Sequence, residues 1–268
     1  MGLFQESSAP SSQSFHETSL MKVEDINPYV QGEDKTLQVE QMFDSIASRY
    51  DFMNSAMSLW QHKSWRNKAL KAAIEALSAK ENLKILDVAT GTGDVAFRLH
   101  SLWPDALITG IDLSEGMLEI AREKLSKLPM SLQSKIAFGK GDSLSMPFHD
   151  GEFDLVTVAY GVRNFSDLRK GIAEMRRVLK PGGVLCIIEL STPKGGLTRM
   201  AYKFYTGQII PRIGKRVTGD GSAYSYLPES IAACPQREDM AALLYGEGFS
   251  QVSWKSLSFG ALTYYIAK

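Results

Sequence analysis

A short apolar run that carries an aspartate and turns on two glycines constrains this chain more than any other stretch. Residues 83–96 read LKILDVATGTGDVA: apolar residues surround Asp87, Gly91-Thr92-Gly93 follows, and Asp94 opens an apolar helical pattern. That order is strand, tight turn, helix, the opening unit of a nucleotide-binding α/β domain. Glycines at 91 and 93 let backbone approach a ligand closely, because no Cβ stands in the way.

The acids narrow the ligand. Gly91-Thr92-Gly93-Asp94-Val95-Ala96 formally fits the G-x-G-x-x-G/A pattern, in which a helix N-terminus holds a pyrophosphate. Asp94 at the start of that helix would repel a diphosphate and is placed to cap the free N–H groups itself. Asp87 and Asp94 around a glycine turn suit a cationic ligand without phosphate. S-adenosylmethionine, with its sulfonium, ammonium, ribose and adenine, is such a ligand.

Periodicity places further elements around the turn. Helices are expected over Lys35–Ala47, His62–Ser78, from Ser114 as cap, over Ser166–Lys180 and over Gln236–Gly248. Pro181-Gly182-Gly183 is expected to close the fourth of these. Strands are expected over Ala106–Asp112, Lys135–Asp142, Phe153–Ala159, Gly183–Leu190, Gln251–Ser258 and Ala261–Ala267. Alternating strands and helices mean a mostly parallel sheet covered on both faces. The last two strands are joined too closely for a crossover and must be antiparallel. Ligands of open α/β sheets bind at the carboxyl ends of the strands. Gly91 to Asp94, Asp112, Asp142-Ser143 and the segment from Ala159 to Asn164 should therefore meet in one cleft. Asp112 lies about twenty residues beyond the turn, the spacing of a ribose-binding acid in NAD and S-adenosylmethionine sites alike. Asp142 or Ser143 is placed to bond an adenine amino group.

Composition excludes several classes. Thirty basic and thirty acidic residues balance in a chain of 268, which argues against a dedicated nucleic-acid binder. The two cysteines, Cys186 and Cys234, give neither a metal spacing nor a disulfide framework, and Cys186 reads as a core thiol. No metal site is expected. The first twenty residues hold six serines, no Lys or Arg and no apolar core, unlike a secretory signal or an Arg-rich transit peptide. They are expected to be a disordered tail, with Met21 as an alternative start and the bacterial cytoplasm as the default compartment.

The succession of Asp87, glycine turn, Asp112 and Asp142, each one strand apart, resembles the class I S-adenosylmethionine-dependent methyltransferases over roughly Leu83 to Lys268. Phe153-Asp154-Leu155 and Leu179-Lys180-Pro181-Gly182-Gly183 add to that resemblance. Two further segments, YDFMNSAMSLWQHKSW over Tyr50–Trp65 and RVLKPGGVLCIIELS over Arg177–Ser191, resemble signatures of the ubiquinone and menaquinone biosynthesis C-methyltransferases. Gly161-Val162-Arg163-Asn164, the run Ile209-Ile210-Pro211-Arg212-Ile213-Gly214 and the later Tyr224-Ser225-Tyr226-Leu227 also resemble that family, which then covers the chain from about Val39. Departures are small: Ala159 stands where many relatives carry Ser, and Asp142-Ser143 where many carry Asn-Ala.

The resemblance implies a Rossmann-like α/β fold: a seven-stranded, mostly parallel sheet with the last strand antiparallel, under an N-terminal helical lid. It implies a tail over 1–34, a lid over 35–82, and a methyltransferase domain over 83–268 with a lid insertion at about 191–235. The donor would be S-adenosylmethionine, held by Asp87, Gly91, Thr92, Gly93, Asp112, Leu113, Asp142, Ser143 and Ala159. The acceptor would be a polyprenyl quinol, most directly demethylmenaquinol. The alternatives are a 2-methoxy-6-polyprenyl-1,4-benzoquinol, another small molecule, an NAD-dependent oxidation, or donor binding without turnover.

Carbon methylation of a quinol needs a stabilised phenolate and a well-oriented ring rather than a metal. Arg163 is the candidate for the oxyanion and Asn164 for a ring oxygen, with His62 or Tyr50 relaying a proton through water. Tyr50, Trp60 and Trp65 are flat enough to stack on a ring. From Ser191 to Gly219 the chain carries Lys194, Arg199, Lys203, Arg212, Lys215, Arg216 and no acid, with Met200, Tyr202, Phe204, Tyr205, Ile209, Ile210 and Ile213 between them. That pattern fits either a helix on an anionic bilayer, through about 194–216, or a lid helix with a solvated basic face. The enzyme would then be cytoplasmic and peripheral at the inner face of the membrane. A homodimer is compatible with the sequence, which does not decide it.

Overall fold

The computed structural model describes residues 5–6, 22–58, 61–78, 81–212 and 222–268. Most of the tail expected over the first twenty residues, Trp60, and Ile213, Gly214, Lys215 and Arg216 of the basic run lie outside these. A single sheet organises the chain. Its strands are β1 (Gln5–Glu6), β2 (Lys84–Val88), β3 (Leu107–Asp112), β4 (Ile136–Lys140), β5 (Phe153–Ala159), β6 (Leu179–Leu190), β7 (Val252–Leu257) and β8 (Leu262–Ala267), in the order β1-β7-β8-β6-β5-β2-β3-β4. From β2 to β8 this is the expected seven-stranded sheet. Six strands run parallel, and β8 pairs antiparallel with both β6 and β7. The two-residue β1 adds an antiparallel eighth strand at the β7 edge.

The central strands are apolar because they are covered on both faces. After its first residue every position of β2 is buried, as a parallel sheet between helices requires. Helices α3 (His62–Ala76) and α4 (Asp94–Leu102) cover one face together with Ile85, Leu155, Cys186 and Tyr264. The thiol of Cys186 is thus in the core, as its apolar neighbours lead one to expect, and so is that of Cys234. Alanines at 69, 72 and 73 let α3 lie close to the strands. Helix α7 (Leu168–Val178) and the helix Glu238–Gly246 cover the other face. Asp167 caps α7 by accepting from Lys170 N at 2.9 Å, and Arg176 and Arg177 sit in its last turn, where the helix dipole favours cations.

Two expectations need correction. Helix α7 ends at Val178, and Pro181-Gly182-Gly183 lies inside β6 rather than closing the helix. The pairing of β5 with β6 shifts register between Phe153 and Leu155, which accommodates these residues at the edge of the ladder. Residues 22–34 are not tail. Val23 is buried in the core, and Asn27 Nδ2 donates to the carbonyls of Val30 and Glu33. The Lys35 ammonium donates to the carbonyls of Val23 and Arg163.

A third apolar cluster lies above the carboxyl ends of the strands. It joins Met42 and Ile46 of α1 (Lys35–Ile46), Met53 of α2 (Tyr50–Met57), Met117 of α5 (Glu115–Ser126), Ile210, and Tyr226, Leu227 and Ile231 of the helix Ser222–Ala233. Segments far apart in the chain thus pack on one another over the crevice.

Candidate active site

The crevice forms where the strand order reverses. The chain runs outward through β2, β3 and β4 and returns as β5 on the other side of β2. The loops leaving β2 and β5 therefore diverge, and a ligand site opens between them. Both loops begin with a non-glycine residue at positive φ, Ala89 at +52° and Tyr160 at +60°. Such conformations are costly and tend to persist where a site needs them. Gly161 follows Tyr160 because a Cβ there would stand 2.8 Å from Ala89 Cβ and 2.9 Å from Val158 Cγ2.

The first cavity, of about 720 Å³, opens onto these loops. Gly91, Asp112, Leu113, Asp142, Ser143 and Ala159 line it as expected, together with Ala89, Gly161 and Met117. Gly91 N donates to Asp112 Oδ2 at 2.8 Å, and Ser114 N to Asp112 Oδ1 at 3.0 Å. Burial still pushes the Asp112 carboxyl above its usual range, with those backbone donors opposing it. Asp142 Oδ1 accepts from Leu144 N. Among the described residues, the charged groups lining this cavity are Glu40, Asp112 and Asp142, all acidic. A cationic ligand fits such a lining, and a diphosphate does not.

Three of the expected contacts lie behind the turn rather than in the cavity lining. Asp87 accepts from Thr90 Oγ1 at 2.6 Å and Thr157 Oγ1 at 2.7 Å, which fixes the start of the glycine turn. Thr92 donates to Asp51 Oδ1 at 2.6 Å. Gly93, at φ +82°, presses on Phe138, whose ring would lie 2.7 Å from an added Cβ. Asp94 does not cap its own helix; Gly93 holds that position without a side-chain bond. The Asp94 carboxylate instead pairs with Arg66 at 2.9 Å and Lys124 at 3.1 Å, tying α4 to α3 and α5. Burial opposes its charge, yet these two cations hold its pKa below the usual value.

A second cavity, of about 1000 Å³, adjoins the first. Met42, Ile46, Met53, Leu190, Ile210, Leu227 and Ile231 make it apolar, and Tyr202, Tyr205 and Tyr226 make it aromatic. Four residues, Phe43, Tyr50, Tyr160 and Asn164, line both cavities. All four expected catalytic side chains, Tyr50, His62, Arg163 and Asn164, line the second, as does Trp65. Tyr50 meets Phe43 edge to face at 5.9 Å, and burial raises its pKa. Trp65 is held by a bond from Nε1 to Ser258 Oγ at 2.9 Å.

Arg163 is buried and bound on one side only. Its Nη1 donates to Glu189 Oε1 at 2.7 Å and to the Tyr160 carbonyl. Burial disfavours the guanidinium charge, but Glu189, with Tyr50 and Tyr226, offsets this and raises the Arg163 pKa above its usual value. Its Nε has no hydrogen-bond partner among the described residues. Asn164 Nδ2 donates to the Tyr160 carbonyl, and its Oδ1 accepts from Tyr226 at 3.2 Å. His62 Nδ1 stands 2.7 Å from Ser58 Oγ, whose own proton goes to the Asn54 carbonyl at 2.6 Å. His62 Nδ1–H is then the donor, which leaves Nε2 of the neutral ring as an acceptor without a partner among the described residues. Burial, then the nearby Arg66, lower the His62 pKa and favour that neutral form.

From the sequence, Tyr160 falls in the segment expected at the cleft but without a role of its own, Tyr202 and Tyr205 stand only as members of the basic run, and Glu189 has no partner. Glu189 stood inside a recognised segment, but its pairing with Arg163 joins two strand ends 26 residues apart.

The ubiE/COQ5 methyltransferase family model matches residues 30–268. A Bacteroides fragilis protein named demethylmenaquinone methyltransferase is 47% identical over 245 residues, covering 91% of this chain and 97% of the relative. A Shewanella piezotolerans protein named ubiquinone/menaquinone biosynthesis C-methyltransferase UbiE is 35% identical over 232 residues, covering 86% of this chain and 90% of the relative. Among solved structures, a SAM-dependent methyltransferase from Thermotoga maritima superposes with a TM-score of 0.59 at 18% identity, covering 85% of this chain and 98% of that one. That likeness bears on the fold alone.

Proposed function

Because the chain belongs to the ubiE/COQ5 methyltransferase family, we propose that it methylates a ring carbon of a polyprenyl quinol, converting demethylmenaquinol to menaquinol. S-adenosylmethionine, bound in the first cavity, supplies the methyl group from its sulfonium. Asp112 would take the ribose hydroxyls, Asp142 and Ser143 the adenine edge, and the Gly91 backbone would allow close approach. The acidic lining matches the donor's positive charge. One observation carries the reading: an acidic cavity and an apolar, aromatic one share a wall of Phe43, Tyr50, Tyr160 and Asn164. Methyl transfer needs donor and acceptor held in line and shielded from bulk water, and adjoining cavities meet that need.

The acceptor chemistry follows from the second cavity. A quinol whose phenolic proton has left is nucleophilic at the adjacent carbon. Arg163, paired with Glu189 and with Nε unpartnered among the described residues, would stabilise the phenolate. Asn164 would bond a ring oxygen. Nε2 of His62, or Tyr50, would take the proton through water.

The prenyl chain argues for work at a membrane surface. Helix α8 (Gly196–Phe204) turns Tyr202 toward the second cavity while Leu197, Met200 and Phe204 are 82%, 70% and 62% exposed. Their spacing puts them on one face, flanked by Arg199 and Lys203, as in helices that rest on anionic bilayers. No helix among the described residues is long and apolar enough to cross a membrane. The protein would thus work peripherally, at the inner face of the bacterial membrane.

The test is product analysis. Purified protein is incubated under reducing conditions with labelled S-adenosylmethionine and two short-chain quinols, one naphthoquinol and one methoxy-benzoquinol. Methyl on a ring carbon of the naphthoquinol is the expected result, and methyl on both would widen the substrate class. Transfer to neither would refute the quinol reading.

A further inference from the structure

Tyr160 combines two unfavourable features at one position. Its backbone is held at φ +60°, and its hydroxyl oxygen is buried with no hydrogen-bond partner among the described residues. Each costs free energy that a fold does not ordinarily tolerate without return. Its neighbours enforce the backbone: the Tyr160 carbonyl accepts from both Arg163 Nη1 and Asn164 Nδ2, and its N–H donates to the Ile188 carbonyl at 2.8 Å. The side chain packs against the core on the α3 side of the sheet, and the residue stands in the wall common to both cavities.

Three buried side-chain polar atoms lack a partner among the described residues: Tyr160 Oη, Arg163 Nε and His100 Nδ1. The first two belong to residues that line the second cavity, and His100 lines neither cavity. Burial raises the Tyr160 pKa, so the hydroxyl keeps its proton and is a donor. Two residues that line one apolar cavity thus each carry an unsatisfied donor, which matches an acceptor with two oxygens on one ring.

We propose that Tyr160 is a substrate-binding residue whose hydroxyl donates a hydrogen bond to the ring oxygen of the dihydroxy-aromatic acceptor that Arg163 and Asn164 leave free, as a second anchor. The proposal rests on the second cavity being the acceptor site. One anchored oxygen leaves a ring free to swing about that contact. Two anchored oxygens fix which carbon faces the first cavity, and transfer depends on that orientation.

Tyr160→Phe tests this, because it keeps the ring and removes only the hydroxyl. The thermal midpoint of the free protein should stay level or rise, since an unsatisfied buried group is lost. Calorimetric binding of S-adenosylmethionine should be unchanged. For a short-chain 1,4-naphthalenediol, kcat/KM should fall by about tenfold or more. The two monohydroxy analogues, each lacking one ring oxygen, are then titrated into wild type and variant. One analogue should bind the two proteins equally, because it lacks the oxygen that Tyr160 holds, and the other should show the full penalty. A lowered midpoint, an unchanged kcat/KM, or the same penalty on both analogues would overturn the assignment. Wild-type protein that neither binds nor methylates the diol would instead overturn the acceptor reading beneath it.

Discussion

Asp87 is 1% exposed and sits between the hydroxyls of Thr90 and Thr157. Burial pushes its carboxyl up from 3.8 to about 6, although both hydroxyls act to lower it. The folded chain therefore binds this proton more tightly than the unfolded chain does. The resulting stabilisation is full below the unfolded pKa and is lost as pH rises through about 6. A shift of this size corresponds to about 3 kcal/mol. Urea unfolding of wild type and Asp87→Asn should show it: the wild-type advantage should shrink by about that amount between about pH 4 and about pH 7. A difference that stays flat with pH would contradict the assignment. Arg163 presents the opposite case, a buried charge kept by a buried partner. Replacing such a pair by apolar residues of similar volume is often neutral or stabilising, so its retention beside an apolar cavity fits a functional charge better than a stabilising one. Both residues were legible in the sequence as members of the site. Which of them borders a cavity was not, because that depends on which threonine or glutamate the fold brings alongside.

At the scale of elements, the site is made by two strand ends. β2 and β5 are neighbours paired from Ile85↔Leu155 to Val88↔Val158, and the loops beyond them nearly touch at Ala89 and Gly161. Gly161→Ala would force these loops apart, at a cost of about 1–3 kcal/mol. Affinity for S-adenosylmethionine, measured by calorimetry, should fall by about tenfold. Unchanged affinity would mean that the contact does not shape the first cavity. The expected strand over Phe153–Ala159 matches the observed one because a continuous apolar run is set by burial on both faces. The cap at Ser114 also holds, accepting from Met117 N at 3.1 Å, since capping is a local bond. Leu179 to Gly182 was misassigned because Pro-Gly-Gly signals a helix end locally, whereas pairing with β5 decides that a strand has already begun.

For the whole molecule, the second cavity joins segments more than 130 residues apart: α1, α2 and α3 from one end of the sequence, and residues 202–210 and 226–231 from the other. Helix α8 connects that cavity to the surface. Replacing Leu197, Met200 and Phe204 together by Ser should weaken binding to vesicles containing anionic lipid and cut turnover of a long-chain quinol. Turnover of a short-chain quinol in solution should remain near wild type. Equal turnover of the long-chain quinol by both proteins would remove the membrane role from this face.

By itself the sequence determined the α/β architecture, the glycine turn, the acid Asp112 at the end of β3 and the family, because each is written in neighbouring residues whose spacing carries the physics. Only the tertiary structure decided that Asp87 supports the turn from behind, that Glu189 holds Arg163, and that Asp94 is bound by Arg66 and Lys124. It also decided that Tyr160 stands unsatisfied in the wall between two cavities. Hydrogen bonds and burial between distant segments have no local signature; they exist only once the sheet has ordered its strands.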